Sequence, residues 1–153
     1  HQPLKVHEDV LVFSKAPSTY SKKGSMNYNP QVSPGNPYRG TLFKDSSHPF
    51  HGSANMTERK DNQGTRLPRS VIFFKRSRLS NHPTEKPVEL MEYLVKTYTQ
   101  EGDTVLDFCM GSGTTGVACM NIDRNFIGIE KESEYFDIAE RRMRYRQPEF
   151  AGK

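Results

Sequence analysis

Hydrophobic positions along the chain fall into two regimes. Residues 9–14, DVLVFS, are apolar and β-branched, and they are bounded by charged residues and by Pro17, which predicts a strand. From Ala16 to Pro68 the pattern collapses. Pro17, Pro30, Pro34, Pro37, Pro49 and Pro68, with Gly24, Gly35, Gly40, Gly52 and Gly64, interrupt every run before a helix could propagate. Irregular stretches beyond ~15 residues are uncommon inside a compact domain, so this one predicts a binding loop or a partly disordered insert. Regularity returns at SVIFF, 70–74, a second strand candidate. A helix is then signalled from about Pro87, because proline suits a first turn and Leu90, Met91, Leu94, Val95 and Tyr98 recur at helical spacing before Gly102 ends the run.

The last third is denser in signal. TVLDF, 104–108, predicts a buried strand, a glycine loop follows, residues 114–120 continue as a helix of small side chains, and NFIGIE, 125–130, predicts another strand. A final helix carries Tyr135, Phe136, Ile138, Ala139 and Met143 on its apolar face. Strand, loop, helix, strand is a βαβ unit, so the fold class is α/β with two neighbouring parallel strands inside 103–130. The chain divides accordingly into a core strand at 1–15, an insert at 16–69, the main α/β core at 70–147 and a tail at 148–153.

At 153 residues, 33% of them hydrophobic, the chain has material for one modest core. No apolar run approaches the ~18 to 20 residues that cross a bilayer, so no membrane partner is expected and the chain reads as soluble and cytoplasmic. It opens on His1 without a basic-then-apolar leader, which is read as a boundary rather than a native start. Charge is unevenly spread. Residues 1–80 hold 13 Lys and Arg against 5 Asp and Glu, and residues 81–153 hold 9 against 13, so +8 and −4 give the net +4. A basic half suggests a polyanion as its partner, through counterion release from phosphates. In the insert, Tyr20, Tyr28, Tyr38, Phe43 and Phe50 interleave with Lys22, Lys23, Arg39, Lys44, Arg59, Lys60, Arg66 and Arg69. Stacking faces beside phosphate partners make those eight cations the candidate contacts to double-stranded DNA, with a solvated basic surface as the alternative.

Metal and thiol chemistry find little support. His48 and His51 have no cysteine or acidic cluster beside them, so no metal site is expected. Cys109 and Cys119 are ten apart, which suits neither a redox pair nor a metal knuckle.

The candidate chemistry lies in DFCMGSGTTGVA, 107–118. Gly111, Gly113 and Gly116 satisfy the G-x-G-x-x-G spacing of dinucleotide loops, and Glu130 at the end of the next strand is placed to accept hydrogen bonds from ribose hydroxyls. That much suits NAD and S-adenosylmethionine alike. Asp107 separates them. At the tip of its strand, four residues before Gly111, its carboxylate is expected to face the ligand region, where a pyrophosphate would meet like charge. At ~5 Å and an effective dielectric of ~20 the repulsion is roughly 3 kcal/mol. A donor carrying an ammonium and a sulfonium turns that cost into an attraction. Two alternatives stay open at these positions: Asp107 capping the loop's own N–H groups, and Glu130 as an ordinary strand-end acid. A Walker loop is disfavoured, because no lysine follows the glycines.

HPTEKP (82–87), DFCMGSGTTGVA and FIGIEKE (126–132), in that order and spacing, resemble motifs X, I and II of the β-class DNA amino-methyltransferases, bacterial and phage enzymes that methylate adenine N6 or cytosine N4. HEDVLVFSK (7–15) also resembles the strand before that family's target-recognition region. The resemblance implies a Rossmann-like methyltransferase fold and S-adenosylmethionine as cofactor. His82, Thr84 and Lys86 would line the methionine end, Asp107 and Phe108 would approach the amino-acid and adenosine parts, Gly111, Ser112, Gly113, Thr114 and Thr115 would supply the loop contacts, Glu130 would hold the ribose, and Lys131 would join the cofactor contacts.

It also implies a tetrad, Asp-Pro-Pro-Tyr or similar, that handles the extruded base, and no such tetrad occurs among the 153 residues. No catalytic residue is therefore assigned, and the tetrad is expected upstream of His1. GNPYRG (35–40) is the nearest mimic, and Asn36 reads better as a turn residue. The expected function is site-specific DNA methylation, adenine N6 before cytosine N4, with a homodimer left open and a chain inactive when isolated. The alternatives are a non-catalytic DNA-binding accessory subunit and an NAD-linked oxidoreductase domain.

Overall fold

A computed structural model of the chain describes residues 8–15, 26–39, 61–75 and 82–145. Its centre is the expected βαβ unit. Strand β3 (Thr104–Asp107) runs parallel to β4 (Asn125–Gly128), in a register that sets Thr104 beside Asn125 and Asp107 beside Gly128. Helix α2 (Thr114–Asn121) makes the crossover. Helix α1 (Val88–Tyr98) precedes the unit and packs along α2, and α3 (Ser133–Arg144) closes on α2 from the other end. The result is α/β, as expected.

Alternation along the two strands places the core. Val105 and Phe126 turn inward onto Val95, Cys119 and Ile122. Their neighbours Leu106, Ile127 and Ile129 turn to the opposite face, where they are exposed. The expectation that 104–108 is a buried strand is therefore half met. Among the described residues helices cover one face only, and Phe108, 74% exposed, lies beyond the strand tip. The most deeply covered element is α2, whose small residues Gly116, Ala118 and Cys119 let neighbours approach closely.

Two further expectations are corrected. Residues 9–14 and 70–74 are not strands. In them Phe13 and Phe73 are 87% and 89% exposed. A strand exists only as a member of a ladder, and neither segment has a ladder partner among the described residues. The second segment meets the core where Phe74 packs edge-on against Tyr93, with ring centroids 5.8 Å apart.

The described parts of the irregular segment are more ordered than their composition suggests. Strands β1 (Ser33–Pro34) and β2 (Thr65–Arg66) pair antiparallel, and a bridge between Tyr38 and Asn62 extends the pairing. Gly64, with φ +98°, turns the chain, and its carbonyl accepts the Gly35 N–H at 2.8 Å. Asn29 fastens the segment to the core. Its N–H donates to Thr97 O at 2.7 Å, and its side-chain amide donates to Lys96 O at 3.1 Å and Thr99 O at 3.0 Å. These carbonyls lie at the C-terminus of α1, where no intrahelical donor remains, so a residue from a distant segment caps the helix.

Candidate functional site

The glycine loop, 108–113, joins the tip of β3 to α2, and the tip of β4 ends beside it. Its backbone is held by carboxylates from both strand ends. Asp107 accepts the Cys109 N–H at 3.1 Å with one oxygen and the Thr115 hydroxyl at 2.7 Å with the other. Glu130 accepts the Gly111 N–H at 2.8 Å through one oxygen and the Lys131 and Glu132 N–H groups at 2.9 and 3.0 Å through the other. The Glu132 and Gly111 N–H groups, helped by the Lys131 N–H and by the charge of His82, hold the Glu130 carboxyl below the usual glutamate range.

Asp107 thus takes the loop-capping arrangement left open above. Each carboxylate oxygen has two lone pairs, so both acids keep acceptor capacity beyond the loop bonds.

The HPTEKP stretch folds over this loop. His82 stands above Gly111, where an added Cβ would come within 3.5 Å of the imidazole, and it meets Tyr135 of α3 edge-on at 4.3 Å between centroids. Thr84 turns back to His82, with its N–H 3.2 Å and its hydroxyl 3.0 Å from Nδ1. His82, Thr84, Gly111 and Glu130 therefore converge on one side of the loop, with Asp107 and Thr115 at its base.

Other expected residues are occupied elsewhere. Lys86 pairs at 2.7 Å with Glu8 from the first described segment. Ser112 and Thr114 are buried beneath α3, where Arg142 donates to Ser112 O at 2.7 Å, Ser112 Oγ at 2.8 Å and Thr114 Oγ1 at 3.3 Å. Lys131 contributes its backbone N–H to Glu130 and is otherwise exposed. Gly113 has φ +76° and lies so close to Ala139 that an added Cβ would be 2.7 Å from the alanine methyl. This glycine serves the packing of loop against helix.

Glu85 and Arg142 were not among the expected site residues. An arginine three residues after Ala139, on a helix face that also carries Tyr135, interrupts an apolar stripe and was the available signal.

Among the eight candidate DNA contacts, Lys22, Lys23, Lys44, Arg59 and Lys60 lie outside the described residues. Arg39 and Arg69 are exposed. Arg66 is half-buried and structurally engaged. Its guanidinium donates to Asn62 Oδ1 at 2.9 Å, to Thr65 O at 3.0 Å and to the Asn36 carbonyl, and it lies 4.9 Å from the centroid of the Tyr38 ring. Asn36 takes part through its backbone carbonyl alone in that contact. No cluster of metal-ligating side chains occurs among the described residues, and no helix there is long and apolar enough to cross a membrane. Cys109 is exposed and Cys119 buried, and burial pushes the Cys119 thiol up to about 11.

A parallel strand pair joined through a glycine loop, with an acid at each tip, defines an α/β protein of the Rossmann-like kind. Comparison with known proteins narrows the class. A family model described as DNA methylase, covering N6 and N4 enzymes, matches residues 2–141, and the chain belongs to that family.

The type II methyltransferase M.HpaI of Haemophilus parainfluenzae is 31% identical over 137 residues, which is 90% of this chain and 38% of that protein. M2.DpnII of Streptococcus pneumoniae is 50% identical over 62 residues, 40% of this chain and 23% of that protein. The chain thus spans well under half the length of these relatives. Among solved structures, the M1.HpyAVI–SAM complex matches at 37% identity with a TM-score of 0.44, over 54% of this chain and 52% of that one. The cytosine-N4-specific PvuII DNA methyltransferase matches at 25% identity with a TM-score of 0.46, over 50% and 32%.

Proposed function

We propose that this chain holds the methyl donor and reads the target for a DNA amino-methyltransferase whose donor is S-adenosylmethionine and whose acceptor is an exocyclic amine, adenine N6 ahead of cytosine N4. One observation carries the proposal: two carboxylates, on the tips of adjacent parallel strands, flank a single glycine loop. Such a pair suits a ligand with a positive charge and sugar hydroxyls, and it repels a pyrophosphate. When bound, the donor supplies a methyl group on a positively charged sulfur, which the target amine attacks.

The residues divide that work by chemistry. Glu130, already fixed by three N–H groups, offers the one remaining lone pair of its Oε2 to a ribose hydroxyl. Asp107 supplies negative charge at the first strand tip, His82 and Thr84 present polar groups over Gly111 to the methionine end, and the exposed Phe108 ring offers an apolar face to the adenine. Lys86 is free to serve the donor's carboxylate only after leaving Glu8, so its role is electrostatic at most until that pair opens.

Target reading falls to the basic half. Arg39 and Arg69 are exposed there, and the Arg66 guanidinium lies over the Tyr38 ring. Lys22, Lys23, Lys44, Arg59 and Lys60 add phosphate partners. The sequence contains no Asp-Pro-Pro-Tyr tetrad, so no residue of this chain is given the task of accepting the amine's proton.

Calorimetric titration with S-adenosylmethionine tests the pocket. Saturable one-to-one binding is expected, weakened by Glu130→Ala. A folded protein that takes up no donor would end the proposal.

A further inference from the structure

We infer that Arg142, on the last helix and outside all three motifs, is a positioning residue of the donor pocket, acting with Glu85 to lock the HPTEKP stretch onto the glycine loop. The inference rests on the pocket proposed above. The observation is a closed ring of polar contacts beneath the loop. Arg142 Nη2 lies 3.0 Å from Glu85 Oε1, and their side chains are only 21% and 8% exposed. Arg142 Nη1 donates to the carbonyl and hydroxyl of Ser112 at 2.7 and 2.8 Å, and the Ser112 hydroxyl donates to Glu85 Oε2 at 3.2 Å. Three segments distant in sequence meet at one guanidinium.

The position of this ring gives it consequence. Ser112 lies between Gly111 and Gly113, both in the left-handed region at φ +54° and +76°. Glycines impose no side-chain restraint on that conformation, so external contacts must hold it. Glu130 fixes the amide of Gly111, Asp107 fixes Thr115, and Arg142 fixes the residue between them. Glu85 is also the immediate neighbour of Thr84, three residues from His82, so the same ion pair sets how far His82 and Thr84 reach over Gly111. A planar fork bonds a carboxylate and a carbonyl at once, which a lysine ammonium on a flexible stem does less well. The other ion pair on this helix, Arg144 with Glu140, is more than half exposed and serves as an internal control.

The test measures donor affinity of the full chain by calorimetry, beside far-ultraviolet circular dichroism and amide hydrogen exchange. Glu85→Gln and Arg142→Gln are each expected to raise the dissociation constant about tenfold or more with helix content retained, because either change leaves a half-buried charge without its partner. The double variant should lose little beyond the worse single one, since both act through one ring. Arg142→Lys should fall between wild type and Arg142→Gln, and exchange at the Gly111 to Gly113 amides should quicken in the same order. Glu140→Gln should bind as wild type.

If wild type binds and the Glu85 and Arg142 variants bind equally well, or their losses multiply independently, the inference is overturned and the pocket stands. If wild type itself takes up no donor, the pocket fails and the inference with it. Collapse of the helical signal in the Glu85→Gln and Arg142→Lys variants alike would assign the pair to the fold as a whole and likewise overturn the inference.

Discussion

Replacing Gly113 by alanine tests how the loop is seated. The residue has φ +76°, and imposing a Cβ on that conformation costs about 1–2 kcal/mol. The new methyl would also lie 2.7 Å from Ala139 Cβ and 3.0 Å from Ala139 Cα. Those atoms cannot swing aside, so α3 must retreat, and overpacking of this kind costs about 1–3 kcal/mol more. The total expected loss is about 2–5 kcal/mol.

Gly102 supplies the comparison. Its φ is +81° but nothing lies within 4 Å of an added Cβ, so Gly102→Ala should cost only the strain, about 1–2 kcal/mol. Urea unfolding of both variants separates the two contributions. Arg142 lies one turn beyond Ala139, so a displaced α3 also loses its hold on Ser112, and donor affinity should fall in Gly113→Ala and persist in Gly102→Ala. Equal destabilisation by the two substitutions would refute the close seating of the loop on α3.

Other consequences are open to direct measurement. The folded Glu130 carboxyl is held below its ordinary 4.5, so its contribution to stability is complete above that value and is lost as pH falls through the lowered folded value. Wild type should therefore unfold at higher urea than Glu130→Gln at pH 7, with the gap closing as pH falls below 4.5 and through the lowered folded value; a gap that persists in strong acid would contradict the hydrogen-bonded carboxylate. Asn29→Ala strips two side-chain donors from the end of α1 and should cost about 1–2 kcal/mol, read by thermal unfolding, whereas an unchanged midpoint would mean that water replaces the cap without loss. Iodoacetamide at pH 8 should label the exposed Cys109 of the native protein and spare Cys119, whose burial keeps its thiol protonated, with mass spectrometry of the fragments as readout.

Local signals in the sequence were read well, and long-range ones were not. The 3.6-residue spacing of Leu90, Met91, Leu94 and Val95 locates α1, and the succession of β-branched run, glycines and small residues locates β3, α2 and β4, because each is determined by neighbours within a few residues. DVLVFS and SVIFF carry the same β-branched composition, yet neither joins a ladder among the described residues, because a ladder is made by a second backbone and leaves no trace in the first.

The same limit explains the site. Asp107 and Glu130 stand out as acids at strand ends, so their places beside the loop were foreseeable, whereas the turn of Asp107 toward Thr115 depends on where α2 begins. The family resemblance set Ser112 and Thr114 among the loop contacts, and a helix that begins about twenty residues later covers them, which their local sequence does not announce. Asn29 reaches carbonyls 67 and 70 residues away and Arg142 reaches Ser112 30 residues away, partners that the local pattern around either residue does not name.

The central claim is electrostatic: acidic strand tips select a sulfonium donor over a pyrophosphate cofactor. Paired titrations of wild type and Asp107→Asn with S-adenosylmethionine and with NAD test it most directly. Wild type should bind the sulfonium compound far more tightly, and the preference should shrink in Asp107→Asn, which keeps the side chain's shape and removes its charge. Comparable affinity of wild type for NAD, or a preference unaltered by the substitution, would contradict it.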